Sequence, residues 1–298
     1  WFDSTSRYQN WIIMDNNQNK LISSFKSSPF YTIKWDNYFD VYEKIFKKFE
    51  TKKITIVEIG VGNGGSLFMW KSFFKENSRI IGIELNPDAK KLEKHGFEIF
   101  IGDQTDKNFW KNFYNEVGNI DILLDDGGHK NIQQVTSVME SINHINDSGM
   151  IIIEDTHTSY MKKKGFKNPS KYSFINFCNL IIESLHRRNP MIEKKNNIFS
   201  NKIHSVEFYD SMVVMNVSSK LSEKTKLLEN NIEKREYFID YRHNGYFIKT
   251  IKKFRSFFGD IEESSLFYKL IRKIFHRNPL FSWHEKKQLK KYFKKVKK

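Results

Sequence analysis

The 298-residue sequence has one cysteine, Cys178. A single thiol excludes an intramolecular disulfide and a thiolate zinc cluster. Set in an apolar helical stretch, Cys178 reads as a buried core residue of a protein from a reducing cytoplasm. No apolar run reaches the roughly 18 residues that a membrane-spanning helix needs. The chain opens on Trp1-Phe2-Asp3, neither an initiator methionine nor a signal peptide, so the start of a longer protein is expected to be missing. There is no internal repeat and no nucleic-acid-binding motif.

Base outnumbers acid, chiefly in one part of the chain. The net charge is +15. Residues 220–298 hold 22 Lys/Arg and nine Asp/Glu, a net of +13, so the remainder is close to neutral at +2. That split marks a domain boundary near residue 218. Three segments are expected: an N-terminal helical segment over 1–50, a central domain over 51–218 and a basic, mainly helical extension over 219–298.

The central segment alternates two hydrophobic periods. Residues 1–33 show none. Apolar residues at 39, 42, 45, 46 and 49 predict a helix over 36–49. Short β-branched runs predict strands at 54–58, 79–84, 98–101, 120–125 and 150–154. Helices are predicted at 66–74, 108–117, 131–145 and 171–188, and a closing strand pair at 203–209 and 211–216. Strand and helix in turn specify a doubly wound, Rossmann-like α/β fold with a mostly parallel sheet.

Such sheets bind ligands beyond the carboxyl ends of their strands. Strand 1 ends in Glu58 and opens into Gly60-Val61-Gly62-Asn63-Gly64-Gly65, with Ser66 starting the next helix. Glycines there admit positive φ and let the backbone approach a ligand. Strand 2 ends in Glu84, where a carboxylate can accept both ribose hydroxyls. Strand 3 ends in Gly102-Asp103-Gln104, placed to meet an adenine. A glycine turn alone also suits a nicotinamide cofactor. The acid on strand 1 and the acid after strand 3 favour S-adenosylmethionine.

The run Val57-Glu58-Ile59-Gly60-Val61-Gly62 resembles motif I of class I methyltransferases. Asp125-Asp126-Gly127-Gly128-His129, with Glu154-Asp155-Thr156-His157-Thr158-Ser159-Tyr160, resembles the metal-dependent sugar O-methyltransferases of macrolide biosynthesis and bacterial polysaccharide methyltransferase domains. It is more loosely similar to cephalosporin hydroxylase relatives. The resemblance spans roughly residues 34–217. It implies Asp126, Glu154 and Asp155 as ligands of Mg²⁺ or Mn²⁺, His129 as general base, and Asp125 facing the cofactor. A metal-bound sugar hydroxyl is easier to deprotonate, and a nearby histidine can take the proton. Asp125 could instead cap the next helix. His157 reads as a ligand, a substrate contact or a hydrogen-bond partner of a carboxylate. Tyr38, Tyr42 and Tyr160 are candidates for a sugar pocket or for plain packing, and Gln133 and Gln134 for substrate contact or capping. The basic loop 162–171, with Gly165 and Pro169, suits a lid.

The functional expectation is an O-methyltransferase acting on a sugar hydroxyl of a surface polysaccharide, such as capsule or O-antigen, or of a glycosylated metabolite. A metal-dependent oxygenase on the same fold and a non-catalytic scaffold for glycan assembly are the alternatives. The last 14 residues hold eight lysines, interleaved upstream with aromatics. They read as an amphipathic contact with anionic lipid at the inner membrane face, or as a packing and homo-oligomerisation element. Basicity without a motif argues poorly for nucleic acid.

Overall fold

The computed structural model describes residues 20–161, 171–189, 192, 198–222 and 279–296, with isolated positions 228, 230, 232, 253 and 266. Two units separate by their contacts, Trp1–Leu227 and Leu228–Lys298. In the first unit seven strands form one sheet. They are β1 (Thr55–Ile59), β2 (Arg79–Glu84), β3 (Glu98–Ile101), β4 (Ile120–Asp125), β5 (Ile145–Ile153), β6 (Ile203–Tyr209) and β7 (Met212–Val217). Their order across the sheet is β3-β2-β1-β4-β5-β7-β6. The first five run parallel, and β7 pairs antiparallel with both β5 and β6. The order reverses between β1 and β4, which is the switch point where open parallel sheets take their ligands.

Helices cover both faces, so the central strands are apolar throughout rather than alternating. On one face lie α1 (Lys20–Lys26), α2 (Asn37–Phe46) and α3 (Gly65–Phe73), packed on Ile56, Ile122, Leu124 and Ile152. On the other lie α4 (Lys107–Val117), α5 (Asn131–Ser141) and α6 (Phe174–His186), packed on Val57, Ile81, Leu123, Ile151 and Ile153. Cys178 belongs to this second core, and burial pushes its thiol up to about 12. It is a core residue, as its surroundings in the sequence suggest.

Three elements differ from the sequence reading. Helix α1 forms where no period is visible. It is only seven residues long, and it is fixed by Leu21 and Ser24 going inside and Phe25 meeting Phe39 edge-on at 5.1 Å. A 3₁₀ segment, Pro87–His95, links β2 to β3, capped by Asn86 accepting from the Asp88 amide at 3.0 Å. Helix α5 stops at Ser141, because β5 already starts at Ile145. Residues 162–170 of the loop 162–171, read as a lid, and most of the basic extension lie outside the described residues. Beyond residue 222 the extension's described helix is α7 (Pro279–Val296).

Helix α2 is pinned to α3 by aromatics. Phe46 is fully buried, with ring centroids 5.6 Å from Tyr42, 5.5 Å from Trp70 and 5.3 Å from Phe74. Phe46→Ala opens a cavity under the helix and is expected to cost about 3–5 kcal/mol. Urea unfolding of the variant measures it; a loss under 1 kcal/mol would contradict this packing role.

Candidate active site

The ends of β1 to β4 enclose a cavity of about 350 Å³. Gly60, Gly62, Glu84, Asp103, Gln104, Asp126, Gly127, Gly128 and Gln133 line it. Gly60 has φ +87°, and a Cβ there would lie 2.2 Å from the Asp126 carbonyl oxygen. Only glycine lets the β1 turn lie this close to the loop after β4. Glu84 is held by backbone amides: Gly62 donates to Oε2 at 3.0 Å, and Leu85 and Asn86 donate to Oε1 at 2.8 and 3.1 Å. Its carboxylate therefore stays fixed at the cavity rim. Asp103 Oδ1 closes its own turn, accepting from the Thr105 amide and hydroxyl.

Four of the residues assigned to the cofactor from sequence do not line the cavity. Asp125 is buried and accepts from Gln104 Nε2 at 3.0 and 3.1 Å and from the Gly127 amide. It positions Gln104, whose Oε1 accepts from the Gly128 amide at 3.0 Å. Burial raises the Asp125 pKa. Gly64, at φ +88°, caps α3. Ser66 donates to Glu58 Oε2 at 2.7 Å, and both are buried behind the turn.

Beside the cavity the strand-end acids sort into two groups. Asp126, His129 and Asp155 each offer one ligand atom, all within 4.8 Å of one another. His129 Nε2 lies 3.4 Å from Asp155 Oδ2 and 4.0 Å from Asp126 Oδ1. His129 Nδ1 is buried with no hydrogen-bond partner among the described residues. Two carboxylates and an imidazole with ligand atoms this close are a donor set that fits a divalent cation. His129 (φ +55°) and Asp155 (φ +53°) both adopt the left-handed region. Non-glycine residues pay for that conformation and hold it only where the surroundings impose it. Ser211, at φ +67°, is a third; it accepts from Tyr38 through its carbonyl and bonds His157 Nδ1 through its hydroxyl.

Glu154, expected as a third metal ligand, is turned inward. It is 1% exposed, with Oε1 accepting from the Tyr42 hydroxyl and Oε2 from Lys34 Nζ at 3.0 Å. Lys34 also contacts Asp126 Oδ2 at 2.7 Å and Glu58 Oε1 at 3.4 Å, and its side chain is 1% exposed. Burial lowers the Lys34 pKa, but Glu154 and its other neighbours more than offset this and hold it well above the ordinary lysine value. Burial pushes Glu154 up to about 8, against the opposing pull of Lys34.

The segment before α2 thus builds much of the site. Ser28 Oγ donates to the Gly65 carbonyl at 2.8 Å, and a Cβ on Gly65 would lie 2.3 Å from the Phe30 oxygen. Trp35 Nε1 donates to Asp155 Oδ1 at 3.0 Å, and the Tyr38 hydroxyl donates to the same oxygen at 2.9 Å. Tyr38 and Tyr42 are buried and orient acids rather than facing a pocket, whereas Trp35 is 57% exposed and meets His157 edge-on. Tyr160 is exposed. Gln134 donates to the Glu154 carbonyl at 3.0 Å, and Gln133 closes the start of α5 through the Lys130 amide. Sequence reasoning missed Lys34 and Trp35. Lys34 is one of 50 basic residues, and nothing local distinguishes it.

No family model matches the chain. Over 163 residues it is 29% identical to the 8-demethyl-8-alpha-L-rhamnosyl tetracenomycin-C 2'-O-methyltransferase of Streptomyces olivaceus, covering 51% of this chain and 43% of that protein. It is 33% identical over 126 residues to the mycinamicin VI 2''-O-methyltransferase of Micromonospora griseorubida, 40% of this chain and 31% of that one. It is 30% identical over 149 residues to the demethylmacrocin O-methyltransferase of Streptomyces fradiae, 48% of this chain and 37% of that one. The chain spans less than half the length of these relatives. Among solved structures, it superposes on the MycE methyltransferase of the mycinamycin biosynthetic pathway, solved in complex with Mg, SAH and mycinamycin VI. The TM-score is 0.59 at 24% identity, over 67% of this chain and 53% of that one. The chain has the Rossmann-like methyltransferase fold, and its sequence is similar to these O-methyltransferases.

Proposed function

We propose that this chain transfers a methyl group from S-adenosylmethionine to a sugar hydroxyl, with one divalent cation, Mg²⁺ or Mn²⁺, at Asp126 and Asp155 and with His129 beside it as the base. The observation that carries this reading is the double membership of Asp126. It lines the cofactor-sized cavity and also belongs to the ion-sized cluster, so the two ligands would meet across one residue. The similar proteins named above support it, since all are O-methyltransferases and the MycE structure contains Mg and SAH.

Bound S-adenosylmethionine supplies the methyl group, and a bound divalent cation lowers the pKa of a hydroxyl on it. The chain's own residues do the rest. Glu84, fixed by three amides, accepts from ribose hydroxyls. Asp103 and Gln104 border the adenine side. Asp126 and Asp155 hold the cation. His129 Nε2, facing both carboxylates, would take the hydroxyl proton. Trp35, exposed above Asp155, offers an aromatic face to a sugar ring. An iron oxygenase would favour two histidines and one carboxylate; this cluster has the opposite ratio.

We also propose that the sugar belongs to a larger glycan, such as a surface polysaccharide, met at an anionic membrane surface. In α7 the exposed Leu289, Tyr292, Phe293 and Val296 fall on one stripe, flanked by Lys286, Lys290, Lys291, Lys294 and Lys295. That pattern suits a helix lying in the lipid interface. Among the described residues no helix is long and apolar enough to cross a membrane.

Three outcomes follow. EDTA abolishes methyl transfer to a glycan acceptor and Mg²⁺ restores it, while His129→Ala lowers the rate by about 10²–10⁴; transfer indifferent to EDTA would refute the metal role. Glu84→Ala weakens S-adenosylhomocysteine binding by about tenfold or more, read by calorimetry; unchanged affinity would remove Glu84 from the cofactor site. Vesicles containing anionic phosphatidylglycerol pull the full chain down at low salt, whereas pure phosphatidylcholine vesicles and a Leu289→Glu, Phe293→Glu variant do not; equal recovery with both lipids would count against the interfacial helix.

A further inference from the structure

Residues 31–35 have no regular secondary structure, yet their exposure alternates as it does along a strand. Thr32 is half-buried and the Lys34 side chain lies inside, while Tyr31, Ile33 and Trp35 are 67%, 73% and 57% exposed. Exposed apolar residues scattered singly need no explanation, but a row of them along one side of a segment marks a contact surface. The row begins at the proposed reacting centre, because Trp35 donates to Asp155 at 3.0 Å. Four residue steps carry it at most about 14 Å from there, the length of a few linked sugar rings.

Its far end opens on a second cavity, of about 420 Å³, which shares no lining residue with the cofactor cavity. Tyr31 belongs to it, with Asn63, Lys91, Lys94 and His95, and no acid lines it. Lys91 pairs with Asp88 at 2.6 Å, but both side chains are exposed, where such a pair is weak. Lys94 has no ion pair among the described residues. His95 meets Phe30 and Phe68 edge-on at 5.3 and 5.2 Å, and its Nε2 is buried with no hydrogen-bond partner among the described residues. Two ammonium groups and an unsatisfied ring nitrogen, with no carboxylate among the lining residues, suit an anionic group.

We propose that the acceptor is an anionic glycan chain. Its reacting sugar stands over Trp35, the next sugars run along Ile33 and Tyr31, and Lys91 and Lys94 hold a carboxylate or phosphate a few units from the methylated hydroxyl. One short segment thereby gives Lys34 to the acids and Tyr31, Ile33 and Trp35 to the acceptor. The inference rests on the transfer reading above for the reacting sugar, and it adds the length and the charge of what carries that sugar. Continuity with Asp155 at one end and the two lysines at the other are what favour this occupant.

Calorimetry at low salt on the full chain with S-adenosylhomocysteine tests it, using tetragalacturonate, phosphorylated maltotetraose and neutral maltotetraose. At least one charged oligomer is expected to bind about tenfold or more tighter than the neutral one, and which one does identifies the anionic group. A Lys91→Ala, Lys94→Ala variant loses that advantage, and Tyr31→Ala weakens the charged oligomer roughly twofold to tenfold; both keep their affinity for S-adenosylhomocysteine. Helix α7 is also basic, so a Lys290→Ala, Lys291→Ala variant is the control and keeps the advantage. No preference for charge, or a preference lost equally in the control, overturns the proposal. So does self-association of the wild type that Tyr31→Ala abolishes without any glycan binding, which would give the row to a second copy of the chain. The expected binding pattern with no methyl transfer supports the proposal and contradicts the transfer reading. Methyl transfer that is equal for charged and neutral acceptors, and unchanged in both variants, supports the transfer reading and overturns the proposal.

Discussion

Carboxylates at the ends of β1, β4 and β5 lie close enough to repel one another, and the rest of the site depends on the Lys34 ammonium set between them. Charges taken out of water cost several kcal/mol each unless they are paired in good geometry. Burial raises the pKa of Glu58 and of Glu154 even with Lys34 present. Removing one partner of such a group typically costs about 3–5 kcal/mol, because the others are left buried and unpaired. The N-terminal segment that carries Lys34 is therefore part of the site, and its packing against Gly65 and through α2 onto Trp70 and Phe74 serves the chemistry as well as the fold.

Three of the five non-glycine residues with positive φ among the described residues lie at this site. His129, Asp155 and Ser211 hold left-handed backbone at the loops after β4 and β5 and in the turn between β6 and β7. Their hydrogen bonds to Thr158, Tyr38 and His157 keep them there. The ordered apolar sheet beneath supplies the rigidity that such conformations require. Glu84, tied to three amides, shows the same economy on the cofactor side.

The parallel sheet, its two helical layers and the acids at its strand ends were legible in the sequence because β1, β2, β4 and β5 are short apolar runs closed by an acid. Periodicity reports which face is buried; it does not report long-range polar contact. Lys34 lies 92 residues from Asp126 and 120 from Glu154, and no local pattern marks a lysine that folds inward. For the same reason nothing local showed that Glu154, expected with Asp155 as a ligand, is held inward by Tyr42 and Lys34. Helix α1, seven residues or about two turns held by tertiary contacts, was too short for its period to show.

The most direct measurement is a crystal of the chain grown with S-adenosylhomocysteine and Mn²⁺, with the metal located by anomalous scattering. The account predicts the nucleoside in the cavity bounded by Gly60 and Glu84, one anomalous peak among Asp126, His129 and Asp155, and Lys34 Nζ still against Asp126. A peak at the Lys34 position between Glu58 and Glu154, or no peak beside an occupied cavity, would contradict it.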